Sequence, residues 1–352
     1  MRSCGAIAVR PQAAPARRKR LIAPWLALAV AVGAAFAALS ATAQNALLNV
    51  SYDVSRELYK DINPAFAAQW QARGNPAPTL NQSHGGSSKQ AGSIIAGLEA
   101  DVVTMNQSPD IDILAKNGLL DPEWRKRLPN DAAPYTTTTV FLVRKGNPKG
   151  IRDWSDLTRA GLQVIVPNPK TSGNGRYTYL AAWGYAVQKQ GGEARAREFV
   201  QKLFGNVPVL DGGGRGATTT FAQRGIGDVL VTFENEAALI DKEVGGNQFD
   251  VVYPSLSIDA PAPVAVVDKV VDKHGTRKLA AAYLEFLFAP EGQEIIARHH
   301  LRPRNEAVLK KYAARFPPIA TFSVDKLLGG WAQVQKTHFD DGAIYDQIVT
   351  RR

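Results

Sequence analysis

The feature that most constrains this chain is the alternation of short β-type runs with helical patterns along most of its length. Leu47–Tyr52 (LLNVSY) reads as a strand. Arg56–Trp70 reads as a helix, because Leu58, Tyr59, Ile62, Phe66 and Trp70 recur mostly at spacings of three and four. Pro64 is expected to kink or split that helix. Gly74–Leu80 holds Pro76 and Pro78 and reads as loop. A helix at Ser88–Leu98, a strand at Asp101–Met105 and a helix closing over Leu114–Leu120 follow. Thr136–Arg144 (TTTTVFLVR) is a strong β-type run, and Gly161–Val166 is a strand stopped by Pro167-Asn168-Pro169. Helices at Arg176–Gln188 and Glu193–Phe204 come next, then strands at Val207–Leu210, Asp228–Phe233 and Val251–Tyr253. Between those strands lie helices at about Thr218–Arg224 and Asn235–Glu243. Ala262–Val271 is a second long apolar run, followed by helices at Thr276–Phe288, Pro290–His299, Asn305–Tyr312 and Asp325–Phe339. This order predicts an α/β architecture with mainly parallel sheets. Two lobes fit it, with Thr136–Arg144 and Ala262–Val271 crossing between them and the first and last thirds sharing one lobe.

The first residues read as an export signal. Arg17, Arg18, Lys19 and Arg20 form a basic region, Leu26–Leu39 is apolar, and Ala41-Thr42-Ala43 has the small-x-small form of a cleavage site. Removing 1–43 takes six basic residues and no acid from a chain with 42 Lys and Arg against 32 Asp and Glu, which leaves +4 in place of +10. The apparent basicity is therefore largely export signal, and no remaining Lys/Arg run reads as a nucleic-acid patch. The one cysteine, Cys4, lies in the removed segment, so the mature chain is expected to hold no disulfide and no Cys-ligated metal. Two domains of ordinary size suit the roughly 309 residues that remain.

Two Ser- and Gly-rich segments, Asn81–Gln90 (NQSHGGSSKQ) and Asn168–Tyr177 (NPKTSGNGRY), read as loops that run directly into helical patterns. A helix start leaves N–H groups unpaired and carries partial positive charge, Gly lets the backbone approach a guest, and Ser adds a hydroxyl donor. Two such starts in an exported chain suggest an anion held by uncharged donors. Ser87 is also the residue type that ordinarily caps a helix, and the second segment also fits an ordinary strand-to-helix loop. Asp211–Thr220 (DGGGRGATTT) is a third such start. Gly212, Gly214 and Ala217 fit a dinucleotide fingerprint with Glu234 placed 20 residues past Gly214, but the fingerprint is short and an exported chain has little use for a diffusing cofactor. The Gly85–Gln90 run lacks the Gly-Lys-Ser/Thr ending of a phosphate loop. No G-x-S-x-G and no H-E-x-x-H occurs, so His84 reads as a polar loop residue and His299-His300 as a helix end; no metal and no cofactor are expected. Asp53 ends the first strand, where its carboxylate would repel a dianion. Its backbone N–H is the better donor, with the side chain turned to a local partner or capping the helix near Arg56.

LLNVSYDVSRELY, QSHGGSSKQA, RLPNDAAPYTTTTVFLVRKGNPK, PNPKTSG, YLAAWGYA, RGIGDVL, ENEA, APEGQE and GGWAQVQKTHF together resemble the periplasmic sulfate-binding proteins of bacterial sulfate/thiosulfate ABC importers, over nearly the whole mature chain. The resemblance implies the two-lobed type II periplasmic binding protein fold, with mainly parallel sheets flanked by helices and the ligand in the cleft between lobes. It divides the chain into a signal peptide at 1–43, a first lobe at 44–136 and 264–320, a second lobe at 137–263, and a C-terminal helical segment at 321–352. Carried over by position, it implies ligand contacts at Asp53 and Ser87 from the first lobe, and at Ser172, Gly173, Asn174 and Gly214 from the second. Asn174 stands where Gly is frequent, but the implied contact is a backbone N–H and survives. Phe233 in TFENE is the departure: relatives with TWENE donate an indole N–H there, and Phe cannot. A lost bond to a charged group is worth about 1.5–3 kcal/mol, roughly tenfold to a hundredfold in affinity, unless a water or hydroxyl replaces it.

The expected function is capture of sulfate without chemistry, in the periplasm, by a monomer that delivers the anion to an inner-membrane ABC permease and its ATPase. Binding of thiosulfate, whose sulfur is larger and a poorer acceptor, is the alternative at Phe233. An exported enzyme acting on an anionic substrate would need a nucleophile, base or metal set that the motifs do not supply. A module that reports the anion to a receptor would share the same sequence, and a transport assay separates the two.

Overall fold

A computed structural model of the chain describes residues 45–350. The expected signal peptide, its cleavage site and Cys4 lie outside the described residues. In chain order the strands are β1 (Ala46–Tyr52), β2 (Thr79–Gly85), β3 (Val102–Thr104), β4 (Tyr135–Arg144), β5 (Val164–Pro167), β6 (Leu210–Asp211), β7 (Val229–Phe233), β8 (Phe249–Val252), β9 (Ser257–Pro261), β10 (Val264–Val266), β11 (Arg302–Pro303) and β12 (Thr321–Phe322). The helices that matter below are α1 (Arg56–Ala72), α2 (Ser87–Ile95), α3 (Pro109–Lys116), α4 (Gly173–Lys189), α5 (Glu193–Gly205), α6 (Gly214–Thr218), α7 (Glu234–Glu243), α8 (Asp268–His274), α9 (Arg277–Phe286) and α10 (Pro290–Arg298).

Two sheets form. The first has the order β10-β3-β1-β2, with β1 parallel to both β2 and β3, and β10 antiparallel to β3. The second runs β12-β9-β4-β7-β5-β6, with β8 and β11 also paired to β4. In it β5 lies parallel to β6 and β7, while β4 runs against its neighbours. The alternation read from the sequence thus forms the α/β architecture it predicts. β4 is buried along nearly its whole length. Val140 and Leu142 pack with Ile165, Leu230, Phe221 and Ile240, whereas Phe141 and Val143 join the larger core on the opposite face. A strand covered on both sides reads as one continuous apolar run, which is why this strand was legible.

Several elements differ from the reading. Asn81–Gln90 is not all loop: β2 occupies Thr79–Gly85 and pairs residue for residue with β1, from Ala46 opposite Thr79 to Tyr52 opposite Gly85. Its polar sequence hides an edge strand held by backbone bonding. Pro64 does not split α1, which runs unbroken from Arg56 to Ala72. Pro64 and Lys60, whose carbonyl loses its helical partner, are both exposed to water. Tyr135–Arg144 pairs only within the second sheet, so it is not a crossing strand. Ala262–Val271 is not one strand either. It is the three residues of β10 followed by α8, which opens at Asp268 with an acid in its first turn. The C-terminal helix expected over Asp325–Phe339 is broken by Gly329 and Gly330, whose φ angles are 76° and 88°.

The chain passes from the first sheet to the second at residues 133–134, back to the first at 262–263, and again to the second between β10 and β11. The first two passages run side by side. Ala262 N–H donates to the Tyr135 carbonyl at 3.2 Å, and Met105 N–H to the Pro263 carbonyl at 2.9 Å. The Gln293 amide holds the Pro134 carbonyl at 2.8 Å.

Candidate functional site

Six strands, β1, β2, β3, β5, β6 and β7, deliver their C-terminal ends to one region, the place where open α/β sheets hold ligands. From the first sheet come Asp53 after β1, Gly86-Ser87 after β2 and Asn106 after β3. From the second come Ser172–Asn174 after β5, Gly212–Gly214 after β6 and Thr232-Phe233 at the end of β7.

Local chemistry fixes each piece. Gly86 is the N-cap of α2 and Ser87 its first residue, so Ser87 does not cap the helix. The buried Ser87 hydroxyl instead accepts from Asn106 N–H at 3.4 Å. Ser172 does cap α4: its Oγ accepts from Gly175 N–H at 3.4 Å. That leaves the N–H groups of Gly173 and Asn174, at the first two helical positions, without helical partners. The Ser172 hydroxyl proton is free to donate at the same time. Gly175 is required by packing, because a methyl there would lie 2.8 Å from Asn168 C and Pro169 N. Gly214 opens α6, and Phe233 precedes α7.

The two sides touch. A methyl on Gly86 would sit 2.5 Å from the Thr171 carbonyl oxygen and 2.8 Å from that of Gly212. Asn106 Oδ1 abuts Gly173. A methyl on Gly214 would lie 2.9 Å from Val54 Cγ1 and 3.0 Å from Asn174 Nδ2. The buried Asp53 carboxylate abuts Gly213 and accepts the Arg215 N–H at 3.0 Å. The N–H groups of Asp53 and Val54 also bond it, so the side chain has the local partner expected as well as one from the start of α6, and it does not cap α1. Burial pushes the Asp53 carboxyl above its ordinary range, against the pull of those N–H groups. Asp53, Ser87, Ser172, Gly173, Asn174 and Gly214 are thus drawn together. Phe233 is fully buried, its ring packed at 5.9 Å against Tyr177 in the first turns of α4, and its neighbour Thr232 accepts from Asn174 Nδ2 at 3.0 Å.

Cations stand near this cradle but are engaged elsewhere. Lys170 reaches the Phe339 carbonyl at 2.9 Å and Asp346 at 3.0 Å. Arg176 binds the Pro169 carbonyl and Gln335, both at 3.0 Å, and stacks over Phe339. Arg215 pairs with Glu243 at 2.5 Å and Glu236 at 3.6 Å. The donors left to face a guest are backbone N–H groups, hydroxyls and amides.

Glu236 carries a pH dependence. Burial pushes its carboxyl from 4.5 up to about 7, against the Thr218 hydroxyl at 2.6 Å and Arg215. A raised carboxyl contributes stability that is complete below its unfolded value and lost as pH rises through the folded one. The melting temperature of the wild type is expected to fall between about pH 5 and pH 8. Glu236→Gln, which stays neutral, is expected to flatten that fall. Parallel slopes for the two proteins in thermal melts across the window would remove Glu236 as the cause.

Other singled-out residues have structural partners. His84 is not in a loop but in β2, its ring 2.7 Å from Ser51 Oγ. Glu234, the acid of the short fingerprint, binds Arg302 at 2.7 and 2.8 Å. His299 meets Asp61 at 2.8 Å. Gly86, Asn106, Tyr177 and Thr232 were missed by sequence reasoning. Gly86 had a signal in SHGGS, and Asn106 in its place one residue past the Asp101–Met105 run.

A two-sheet α/β body whose helix starts converge on one cradle has the arrangement of a solute-binding protein. The chain belongs to the bacterial extracellular solute-binding proteins, whose family model matches residues 48–302, and it has the type II periplasmic binding protein fold. It is 60% identical over 334 residues to the thiosulfate-binding protein of Pseudomonas aeruginosa, covering 94% of this chain and 99% of that one. It is 54% identical over 306 residues to the sulfate-binding protein of Escherichia coli, covering 87% of this chain and 93% of that one. Among solved structures, the sulfate-binding protein SubI of Mycobacterium tuberculosis superposes with a TM-score of 0.76 at 32% identity, covering 84% of this chain and all of that one.

Proposed function

We propose that this protein captures sulfate in the periplasm with uncharged donors from both sheets and delivers it to an inner-membrane ABC permease and its ATPase, as a monomer and without catalysis. One observation carries the reading: the start of α4 meets Gly86 and Asn106 from the other sheet while Lys170, Arg176 and Arg215 are held by other partners. The similarity to thiosulfate- and sulfate-binding proteins supports it. Sulfate is doubly ionised at neutral pH and offers only acceptors. Hydrogen phosphate carries a proton that the N–H and O–H groups of the cradle leave unmatched while the Asp53 carboxylate is engaged by Arg215 N–H, which disfavours it by hydrogen bonding rather than by charge. Donors from both sides favour the closed state, because only that state makes every contact. The lobes that close would be 44–136 with 264–320, and 137–263, with 321–352 packed as a C-terminal segment. Ligand contacts would come from Asp53, Ser87, Ser172, Gly173, Asn174 and Gly214.

Phe233 favours a second reading, thiosulfate in place of or beside sulfate. An aromatic wall that cannot donate suits a terminal sulfur better than an oxygen. Calorimetry with sulfate, thiosulfate, phosphate and molybdate tests both readings, and no heat from sulfate or thiosulfate at millimolar levels would sink them. Ser172→Ala removes one donor to a charged guest, worth about 1.5–3 kcal/mol, and is expected to raise the dissociation constant roughly tenfold to a hundredfold. An unchanged constant takes Ser172 out of the site.

A further inference from the structure

Two buried side-chain amides flank Gly173, one from each sheet. Asn174 is 1% exposed; its Nδ2 donates to Thr232 Oγ1 at 3.0 Å, and its Oδ1 has no partner. Asn106 is 4% exposed; its Oδ1 abuts Gly173 and also has no partner. A buried amide oxygen without a donor is costly, and two around one residue at a helix start call for a reason. The two ends of an amide exchange places by a half-turn of the last side-chain bond. After that turn Asn174 keeps its bond, because the Thr232 hydroxyl donates where it had accepted. Its N–H then takes the place of the oxygen that now has no partner, in the first turn of α4. The same turn aims an Asn106 N–H at the start of α4.

We infer that Asn106 and Asn174 are two side-chain donors to the bound oxyanion, one carried by each sheet, and that they help set its specificity. The inference rests on the sulfate/thiosulfate reading above. Asn174, bonded to Thr232 beside Phe233, supplies a neutral N–H where Phe233 offers none, and Asn106 supplies one from the first sheet. Being free to rotate, they orient toward an acceptor without moving the backbone. Their contacts are complete only when the two sheets approach.

The test is calorimetry on the mature chain with sodium sulfate, sodium thiosulfate and sodium phosphate. Asn174→Ala and Asn106→Ala are each expected to weaken sulfate or thiosulfate binding about tenfold. Asn174→Asp keeps the shape, removes the donor and adds a negative charge, so it is expected to abolish binding. Melting temperatures measured without anion should stay close to the wild type for Asn106→Ala, whose amide oxygen has no partner, and fall modestly for Asn174→Ala, which also loses the bond to Thr232. Wild-type binding with both Ala variants within twofold overturns the inference and leaves the proposed function standing. Phosphate binding by the wild type as tight as sulfate binding also overturns it, because amide oxygens would then face the guest. A wild type that binds neither sulfate nor thiosulfate removes the proposed function and this inference with it.

Discussion

Gly86→Ala is expected to weaken sulfate binding by at least about 100-fold while leaving the protein folded. The methyl would stand 2.5 Å from the Thr171 carbonyl oxygen and 2.8 Å from that of Gly212. Both are backbone groups of loops anchored to the second sheet, so neither can rotate aside as a flexible side chain would. The halves must stay apart by the width of a methyl, and the contacts that need both sides are lost together. Two bonds to a charged guest at about 1.5–3 kcal/mol each exceed the roughly 2.7 kcal/mol of a hundredfold change. The comparison to make is calorimetry on both proteins, with small-angle scattering to follow compaction on adding sulfate. A variant that binds and compacts like the wild type would show that the close approach at Gly86 is not needed.

Trp154→Ala is expected to have the largest effect on stability, a loss of about 3–5 kcal/mol. Trp154 is fully buried, meets the Phe141 ring edge-on at 4.8 Å, and donates its indole N–H to the Leu256 carbonyl at 2.8 Å. Truncation removes the ring, opens a cavity and orphans that carbonyl. Trp154→Phe should cost less, about 1–3 kcal/mol for the unpaired carbonyl. Urea titrations of the three proteins decide the matter. A loss below about 1 kcal/mol for the Ala variant contradicts the packing argument.

The fold was legible where burial writes itself into periodicity. β4 and β7 are apolar runs because both faces are covered, and α1 shows its stripe because one face packs on the core. β2 was not legible, because TLNQSHG is an edge strand whose stability comes from backbone pairing with β1 and leaves no apolar pattern. The break at Gly329-Gly330 was visible as a dipeptide but was absorbed into a helical stripe that runs across it. For the site, the Ser- and Gly-rich helix starts were legible by type, and the family resemblance supplied positions. What the chain order could not give is which loops meet. The Asp53 carboxylate takes an N–H from Arg215, 162 positions away, and Asn106 matters only because the second sheet brings Gly173 against it. Such contacts belong to the approach of two sheets, and no local pattern records them.

The engagement of Lys170, Arg176 and Arg215 with other partners has a physiological corollary. With these three cations held by other partners, counter-ions have little to displace, so retention should be nearly indifferent to ionic strength. An osmotic upshift that floods the envelope with salt would leave the cargo in place. Unloading then depends on mechanical separation of the two halves.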